Sequence, residues 1–321
     1  MQNQMLKPFI TFAICLSLPF WCALSSEAFN PQAASPGESV TAPAEVKHQV
    51  SLHGQVKKQS KYPIFIVTNR QVSESAHGPI FTSHRAVRQT YAQLRAGKMQ
   101  LLQSKEKLLD GLQKTGAKRI AVFVHGYRKS FGGSLEFAEK IGSEIDLPVV
   151  LFAWPSKNKY SAYMSDECTA EWSSHQLSDT LKSLGEKFGN ENVCVMSHSL
   201  GARMVHWAFR ILASENQMNR PFACNLMFSP DFDRDTFLKD SAFLNRCSGV
   251  MKIYLDAHDS RIWLSRMLHG SPRVGTSDGS VDNETLQKIC QFNSNMPNHH
   301  IPYDVLNAAF NILAETEVLR N

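Results

Sequence analysis

Residues 192–204, NVCVMSHSLGARM, place a serine hydroxyl at a sharp change of sequence pattern. An apolar run rich in β-branched residues stops at Ser197, and a helical pattern begins directly after Ser199. A serine at such a strand-to-helix corner is typical of a nucleophile elbow, which pushes its Oγ into a cleft. Serine is also favoured as the N-cap of an ordinary helix. Nucleophilic catalysis therefore requires that the rest of the chain supply a base, an acid and oxyanion donors.

Two adjacent histidines are the candidates for the base. A serine hydroxyl is a weak nucleophile at neutral pH and needs a neighbouring base, usually histidine. His299 and His300 stand in the loop-like stretch CQFNSNMPNHHIPYD, just before a predicted last helix over 305–316. The stretch Asn298-His299-His300-Ile301-Pro302 resembles the small residue–His–x–apolar–Pro ending of the α/β-hydrolase superfamily, which implies His299 as the base, and His300 stays open. His269 follows the candidate acid too closely to be preferred.

The acid must fix the tautomer of the histidine and stabilise the imidazolium. Asp259 follows the strand-like run at 250–256, and Asp231 follows the run at 224–228. The order Ser199, Asp259, His299 gives serine, acid and histidine in the chain order of one known triad arrangement. Asp231 is the alternative, although an Asp after Pro also starts turns. Asp233 and Asp256 remain as weaker candidates.

Backbone N–H groups must face the oxygen on which negative charge forms. One donor is expected from Leu200, directly after the candidate nucleophile, and the other from Tyr127, after a His125-Gly126 turn. Gly126 permits a turn without steric cost. His125 is interpreted as a residue that orders this loop.

Residues 154–173 join a predicted strand to a predicted helix above the presumed site. Aromatic side chains within them, Trp154, Tyr163 and Trp172, are candidates for lining a substrate cleft. The alternative is a surface loop whose tryptophans anchor it to the core.

The elements that position these residues alternate along the chain. Strand-like runs are predicted at 63–69, 119–124, 148–155, 192–196, 224–228 and 250–256, and helical patterns at 84–116, 132–145, 169–188 and directly after the elbow. Short, nearly continuous apolar strands between helices indicate a mostly parallel sheet covered on both faces. Sites in such sheets form at the carboxyl ends of the strands, where the candidate residues fall.

The ordered motifs resemble the α/β-hydrolase superfamily, and within it an uncharacterised bacterial branch. They cover roughly residues 63 to 316. The matching motifs are His125-Gly126-Tyr127, Trp154-Pro155-Ser156, Asp166-Glu167 through Glu171-Trp172-Ser173, His198-Ser199-Leu200-Gly201, Pro230-Asp231-Phe232-Asp233 and Leu264-Ser265-Arg266-Met267-Leu268-His269-Gly270. Ser197 stands where most of the superfamily has glycine.

The resemblance implies an α/β fold with a mostly parallel central sheet and helices on both faces. It also implies a serine hydrolase, with a carboxylic ester as the default substrate, a small-molecule or lipid ester. The branch carries no agreed substrate, so thioester and amide cleavage stay open. A hydrolase-like protein without catalysis, used for binding, is the alternative from another functional class.

The N-terminus has the pattern of a secretory signal. Lys7 precedes an uncharged, largely apolar stretch from Pro8 to Ser26, and small residues follow near Ala28. The predicted organisation is a signal peptide or uncleaved anchor over 1–28, a polar linker over 29–60 and a hydrolase domain over 61–321. An exported protein is expected, periplasmic or secreted, and an uncleaved helix would hold it at a membrane.

Composition narrows the remaining possibilities. A net charge of +5 without a long basic run gives no indication of nucleic-acid binding. No Cys-x-x-Cys spacing appears, so a structural zinc site is not expected, and neither a catalytic metal nor a cofactor is predicted. Cys194 and Cys224 lie in apolar strand-like runs and are interpreted as core residues.

Overall fold

Ser199, Asp231 and Asp259 each follow the carboxyl end of a strand of one sheet. The computed structural model describes residues 60–218, 220–255 and 259–275. Its eight strands are β1 (Ile64–Ser75), β2 (Gly78–Arg95), β3 (Lys98–Leu102), β4 (Ile120–Val124), β5 (Val149–Phe152), β6 (Val193–His198), β7 (Phe222–Phe228) and β8 (Ser248–Tyr254). They lie in the order β3-β2-β1-β5-β4-β6-β7-β8. The pairs from β1·β5 to β7·β8 are parallel, which confirms the predicted, mostly parallel sheet.

Helices cover both faces of the sheet. They are α1 (Lys105–Gln113), α2 (Phe131–Glu144), α3 (Tyr163–Phe188), α4 (Leu200–Ser214), α5 (Arg234–Cys247) and α6 (Ser260–His269). Side chains of α1, α3, α4 and α5 form one buried apolar cluster with one sheet face, and α2 packs on the other face. Cys194 and Cys224 are buried side by side in β6 and β7, so their interpretation as core residues is confirmed. Among the described residues, no helix has the length and apolarity needed to cross a bilayer.

The helix predicted over 84–116 is largely wrong. The segment contains most of β2, all of β3 and then the shorter helix α1. Ala96 and Gly97 both have positive φ, 49° and 74°, which is the backbone of the two-residue turns that join antiparallel strands. β2 and β3 extend the parallel sheet beyond β1 as an antiparallel edge.

The segment over the site is more helical than its sequence predicts. A 3₁₀ turn, Tyr160–Ala162, leads directly into α3, which begins at Tyr163 and continues to Phe188. The first two turns of α3 therefore occupy what was interpreted as a loop. This arrangement fixes Tyr163 and Glu167 on a rigid element beside the end of β7.

Candidate active site

Ser199 occupies a strained corner between β6 and α4. Its φ of 53° and ψ of −123° lie in a region that residues with a Cβ rarely adopt, at a cost of about 1–3 kcal/mol. Hydrogen bonds hold the corner: the Ser199 N–H donates to Phe228 O at 2.9 Å, and the Asp231 N–H donates to Ser199 O at 3.2 Å. The Ser199 hydroxyl makes no capping hydrogen bond to α4. The N-cap interpretation of this side chain is therefore wrong.

Two glycines allow the turn after β4 to approach this corner. A Cβ placed on Gly126 would lie 2.8 Å from Ser199 Cβ, and one on Gly201 would lie 2.6 Å from Val124 O. Neither residue is among those with positive φ, so close approach explains both glycines. Gly201 lets α4 pack directly onto the end of β4, while Gly126 brings the start of the next loop against Ser199.

Replacing Gly201 by alanine is expected to destabilise the fold. The new Cβ would meet the carbonyl oxygens of Val124 and His125 at 2.6 and 2.7 Å, and backbone atoms cannot move aside cheaply. Overpacking of this kind costs about 1–3 kcal/mol, which urea unfolding would measure. Gly132→Ala in α2 is the matched control, because a Cβ there has no other atom within 4 Å. Equal free energies of unfolding for the two variants would contradict the close-approach account.

Leu200 and Tyr127, the predicted oxyanion donors, directly follow Ser199 and Gly126. Leu200 is the first residue of α4, and the N–H of a first helical residue has no partner within its own helix. The positive end of the helix dipole also favours negative charge there. Tyr127 follows Gly126 directly, and its phenol anchors the loop by donating to Lys159 O at 3.0 Å. Their role as oxyanion donors stays a prediction.

His125 is built into the loop that carries Tyr127. Its Nε2 lies 3.1 Å from Trp154 O, its Nδ1 lies 2.9 Å from Gly126 O, and Trp154 Nε1–H donates to His125 O at 2.7 Å. Burial, followed by the charge of Arg70, lowers the pKa of His125 to about 3. A neutral, buried imidazole stacked on Trp154 supports the interpretation of His125 as a loop-ordering residue.

The three aromatic side chains predicted to line the cleft have different environments in the structure. Trp154 is fully buried, with its indole N–H donating to His125 O, and its contact with substrate stays a prediction. Tyr163 is also buried, and its hydroxyl donates to Asp231. Trp172 is half-buried on α3, with the Arg85 guanidinium 5.4 Å from its ring centroid. Its contact with substrate stays a prediction.

Asp231 lies in a buried network at the end of β7. Tyr163 O–H donates to its Oδ2, and Ser265 Oγ–H donates to its Oδ1 at 2.6 Å. Arg273 Nε lies 3.5 Å and Arg203 Nη2 3.9 Å from the same Oδ1. Burial, followed by the Asp231 charge, raises the pKa of Tyr163, which keeps the phenol a donor. Both carboxylate oxygens of Asp231 are therefore already engaged by side chains of the fold.

A second carboxylate extends this network. Glu167 accepts from Arg203 Nη1, and His269 Nε2 lies 2.9 Å from Glu167 Oε1. His269 Nδ1 lies 2.8 Å from Ser265 O. Burial would raise the pKa of Glu167, but the charge and hydrogen bond of Arg203 outweigh it and lower that pKa. We call the whole set the Asp231 cluster: Tyr163, Glu167, Arg203, Asp231, Ser265, His269 and Arg273.

The Asp231 cluster is the part of the site that sequence reasoning missed. The sequence suggests Asp231 only as an alternative acid, His269 only as a disfavoured base and Ser265 for no role, whereas the fold brings the three together from the end of β7 and from α6. The Asp231 N–H also donates to Ser199 O. The cluster therefore braces the corner that presents Ser199.

Asp259 has a different environment. It precedes α6, and its Oδ1 accepts from the N–H groups of Arg261 and Ile262 at 2.9 and 3.2 Å. This cap fixes the carboxylate at the carboxyl end of β8. Asp233 is the cap of α5. His299, His300 and Asp256 lie outside the described residues, and those residues hold no group of His, Cys, Asp and Glu that could bind a metal ion.

Solved structures with a similar course of the chain include several esterases. Esterase PE8 shares 16% identity over 62% of this chain and 93% of its own, with a TM-score of 0.43. A fungal esterase from Rhizomucor miehei shares 9% over 82% and 87%, with a TM-score of 0.40. The butyrate-bound esterase Est2 of Thermogutta terrifontis shares 13% over 62% and 83%, with a TM-score of 0.36. No curated protein matches the chain.

A protein-family model matches the sequence of this chain, and the topology of the sheet agrees with that match. Residues 102–295 match the model of a family described as "Alpha/beta hydrolase of unknown function (DUF900)". The match includes β4, the elbow at Ser199, the Asp231 cluster and Asp259. The three structural likenesses all have TM-scores below 0.5, so the family model and the sheet topology carry the assignment. The chain is a member of the α/β-hydrolase family DUF900.

Proposed function

We propose that this protein is an exported serine hydrolase that cleaves carboxylic esters. Its triad is Ser199, Asp259 and His299, with the amides of Tyr127 and Leu200 as oxyanion donors. The observation that carries the proposal is the backbone of Ser199, held at φ 53° and ψ −123° with its hydroxyl unused by the helix. Strain of this kind persists where a fold needs a side chain at one particular point.

The proposed reaction has two acyl-transfer steps. Ser199 Oγ attacks the ester carbonyl carbon while His299 removes the hydroxyl proton, and the Tyr127 and Leu200 amides stabilise the resulting oxyanion. The intermediate collapses, the C–O bond to the alcohol breaks, and the imidazolium returns its proton to the leaving alcohol. Water, deprotonated by the same histidine, then attacks the acyl-enzyme and releases the carboxylic acid and Ser199.

The geometry favours Asp259 over Asp231 as the acid. Asp231 already accepts from Tyr163 and Ser265 and lies beside Arg203 and Arg273. A histidine would have to displace one of these buried partners to reach it. Asp259 accepts from two backbone N–H groups at the start of α6, and its place after β8 agrees with the chain order serine, acid, histidine.

The choice of base is testable by substitution. His299→Ala is expected to lower kcat by at least about 10³-fold, because without a general base the serine hydroxyl stays protonated. His300→Ala is the matched control and should keep kcat within about tenfold of the parent, since His299 takes the proton in the proposed mechanism. Steady-state kinetics on one p-nitrophenyl ester measure both variants. The reverse ranking would assign the base to His300.

The ester proposal is tested with the full chain on p-nitrophenyl esters of increasing acyl length. Turnover that depends on acyl length, and that inhibitors of serine hydrolases abolish, is the expected result. Absence of turnover on every ester, together with hydrolysis of amides or thioesters, would contradict the ester proposal and identify the substrates as amides or thioesters. A chain inactive on all three classes would favour the non-catalytic binding function.

Export is proposed from the N-terminal segment. Residues 1–28 should act as a signal peptide, and residues 29–60 should form the polar N-terminus of the mature chain. Fractionation of cells expressing the full chain, with N-terminal sequencing, should give a chain outside the cytoplasm that begins near residue 29. An uncleaved chain in the membrane fraction would favour the anchor version, and an intact Met1 in the cytoplasmic fraction would contradict export.

A further inference from the structure

Exposed large apolar side chains concentrate on one part of the described surface. Ile80 and Val87 stand apart on β2, while the others lie on α6 and at the start of α3. We call this second set the α6 patch: Tyr160, Met164, Trp263, Leu264, Met267 and Leu268. Exposed apolar side chains that lie together are more often part of an interaction surface than single, scattered ones.

The α6 patch is built on a rigid support. Trp263 and Met267, and likewise Leu264 and Leu268, are four residues apart and therefore neighbours on the helix surface. Ile262 on the same helix is buried, so α6 is fixed with its apolar side outward. The start of α3 is joined to it, because the Tyr163 ring lies 5.7 Å from that of His269 and Glu167 contacts His269.

The α6 patch borders the candidate active site. α6 begins directly after Asp259, whose side chain caps it. The phenol oxygen of Tyr127, whose backbone amide is the candidate oxyanion donor, also contacts Tyr160 O, and its ring lies 5.1 Å from that of Tyr163. A surface bound to the α6 patch would therefore lie beside the loop that contains Tyr127 and beside the start of α3, next to the candidate active site.

Basic side chains accompany the α6 patch. The Arg128 guanidinium lies 3.7 Å from the centroid of the Tyr160 ring. Burial, and then repulsion from Arg261 and Arg128, lower the pKa of Lys129 to about 8, against the opposing charge of Glu136. Burial and Arg261 likewise lower the pKa of Arg128. Arg128 thus stacks on Tyr160, Lys129 follows it in the chain, and Arg261 lies on α6 two residues before Trp263, so we call these three residues the cationic cluster beside the exposed apolar residues.

We propose that the α6 patch docks on an anionic phospholipid surface. Apolar side chains on one helix, with arginine and lysine beside them, match the acyl region and the charged headgroups of such a surface. A second copy of the chain is a poorer occupant, because a symmetric contact would bring the same cations face to face. This inference concerns binding and does not depend on the hydrolysis proposed above.

Trp263 supplies the reporter for the test. The full chain with Ser199→Ala is mixed with phosphatidylcholine vesicles or with vesicles that also contain phosphatidylglycerol, with or without bromine on the acyl chains. Bromine should quench part of the tryptophan fluorescence in the anionic vesicles, and Trp263→Phe should remove that part. Trp21 lies within residues 1–28, so only the difference in bromine quenching between the chain with Trp263 and the chain with Trp263→Phe is read as the signal from α6.

Matched substitutions separate the α6 patch from general apolarity. The double change Met267→Gln and Leu268→Gln should raise by about tenfold the lipid concentration needed for half-maximal quenching, a loss equivalent to about 1.4 kcal/mol. Val87→Gln, at a residue 86% exposed on β2, should leave it unchanged. Raising salt should weaken the quenching, because the cationic cluster is screened.

Four results would overturn the proposal. One is bromine quenching that Trp263→Phe leaves unchanged, and another is equal quenching in vesicles of phosphatidylcholine alone. The third is a dimer in sedimentation that Trp263→Ser converts to monomer, which would assign the α6 patch to a second copy. The last is a Trp263 that acrylamide cannot quench without vesicles, which would show that another part of the chain covers it.

Discussion

Replacing Ser199 by alanine is expected to reduce turnover of an ester that the parent cleaves by at least ~10⁴-fold. The change removes one oxygen, and alanine keeps the same Cβ at the strained corner, so the fold should be unaffected. Turnover and the thermal midpoint of unfolding, measured on the same preparation, separate loss of chemistry from loss of fold. Near-parental turnover would contradict the elbow assignment.

Ser197 provides a matched control two residues away. Its side chain is buried in β6, and its Oγ has no hydrogen-bond partner among the described residues. Ser197→Ala removes an unsatisfied hydroxyl, so it should keep the free energy of unfolding or raise it slightly. Its turnover should stay within a few-fold of the parent. A loss matching that of Ser199→Ala would indicate that any change at this corner disturbs the site.

Replacing Asp259 by asparagine is expected to lower kcat by about 10⁴-fold, the effect seen when a triad acid loses its charge. Asparagine is as good an N-cap as aspartate, so the cap on α6 should survive and the free energy of unfolding should change little. Kinetics and urea unfolding test the two halves of this expectation. A variant that keeps near-parental kcat would remove Asp259 from the triad.

Asp231→Asn is the companion variant and should show the opposite pattern. Neutralising Asp231 leaves Arg203 and Arg273 beside an uncharged group in a buried cluster, and breaking buried ion pairs costs about 3–5 kcal/mol. The free energy of unfolding should therefore fall sharply, while kcat of the folded fraction, measured well below the unfolding midpoint, falls far less. A large loss of kcat without loss of stability would make Asp231 the acid.

The parallel sheet could be predicted because its strands are short apolar runs, which need little context. The hairpin of β2 and β3 could not be, since its residues have mixed polarity and apolar residues at spacings that also fit a helix. The chain reverses at Ala96 and Gly97, which both have positive φ. Only pairing with β1 selects the strand over the helix.

The elbow and its acid candidates could be predicted from strand ends, because carboxyl ends of parallel strands meet at one edge. The burial of Trp154 could not be predicted, since nothing in the neighbouring sequence shows that its indole N–H donates to His125 O. The Asp231 cluster needed the fold itself. Tyr163, Arg203 and Ser265 come from three helices, and their convergence on one carboxylate is a long-range property that no local pattern encodes.

The proposed triad requires Ser199 to be an activated nucleophile. A fluorophosphonate probe added to the full chain, followed by digestion and mass spectrometry of the peptides, tests it without knowledge of the substrate. We expect one phosphonylated residue, Ser199, with labelling abolished in Ser199→Ala and kept in Ser197→Ala. An unlabelled but folded parent chain, or a label on another serine, would contradict it.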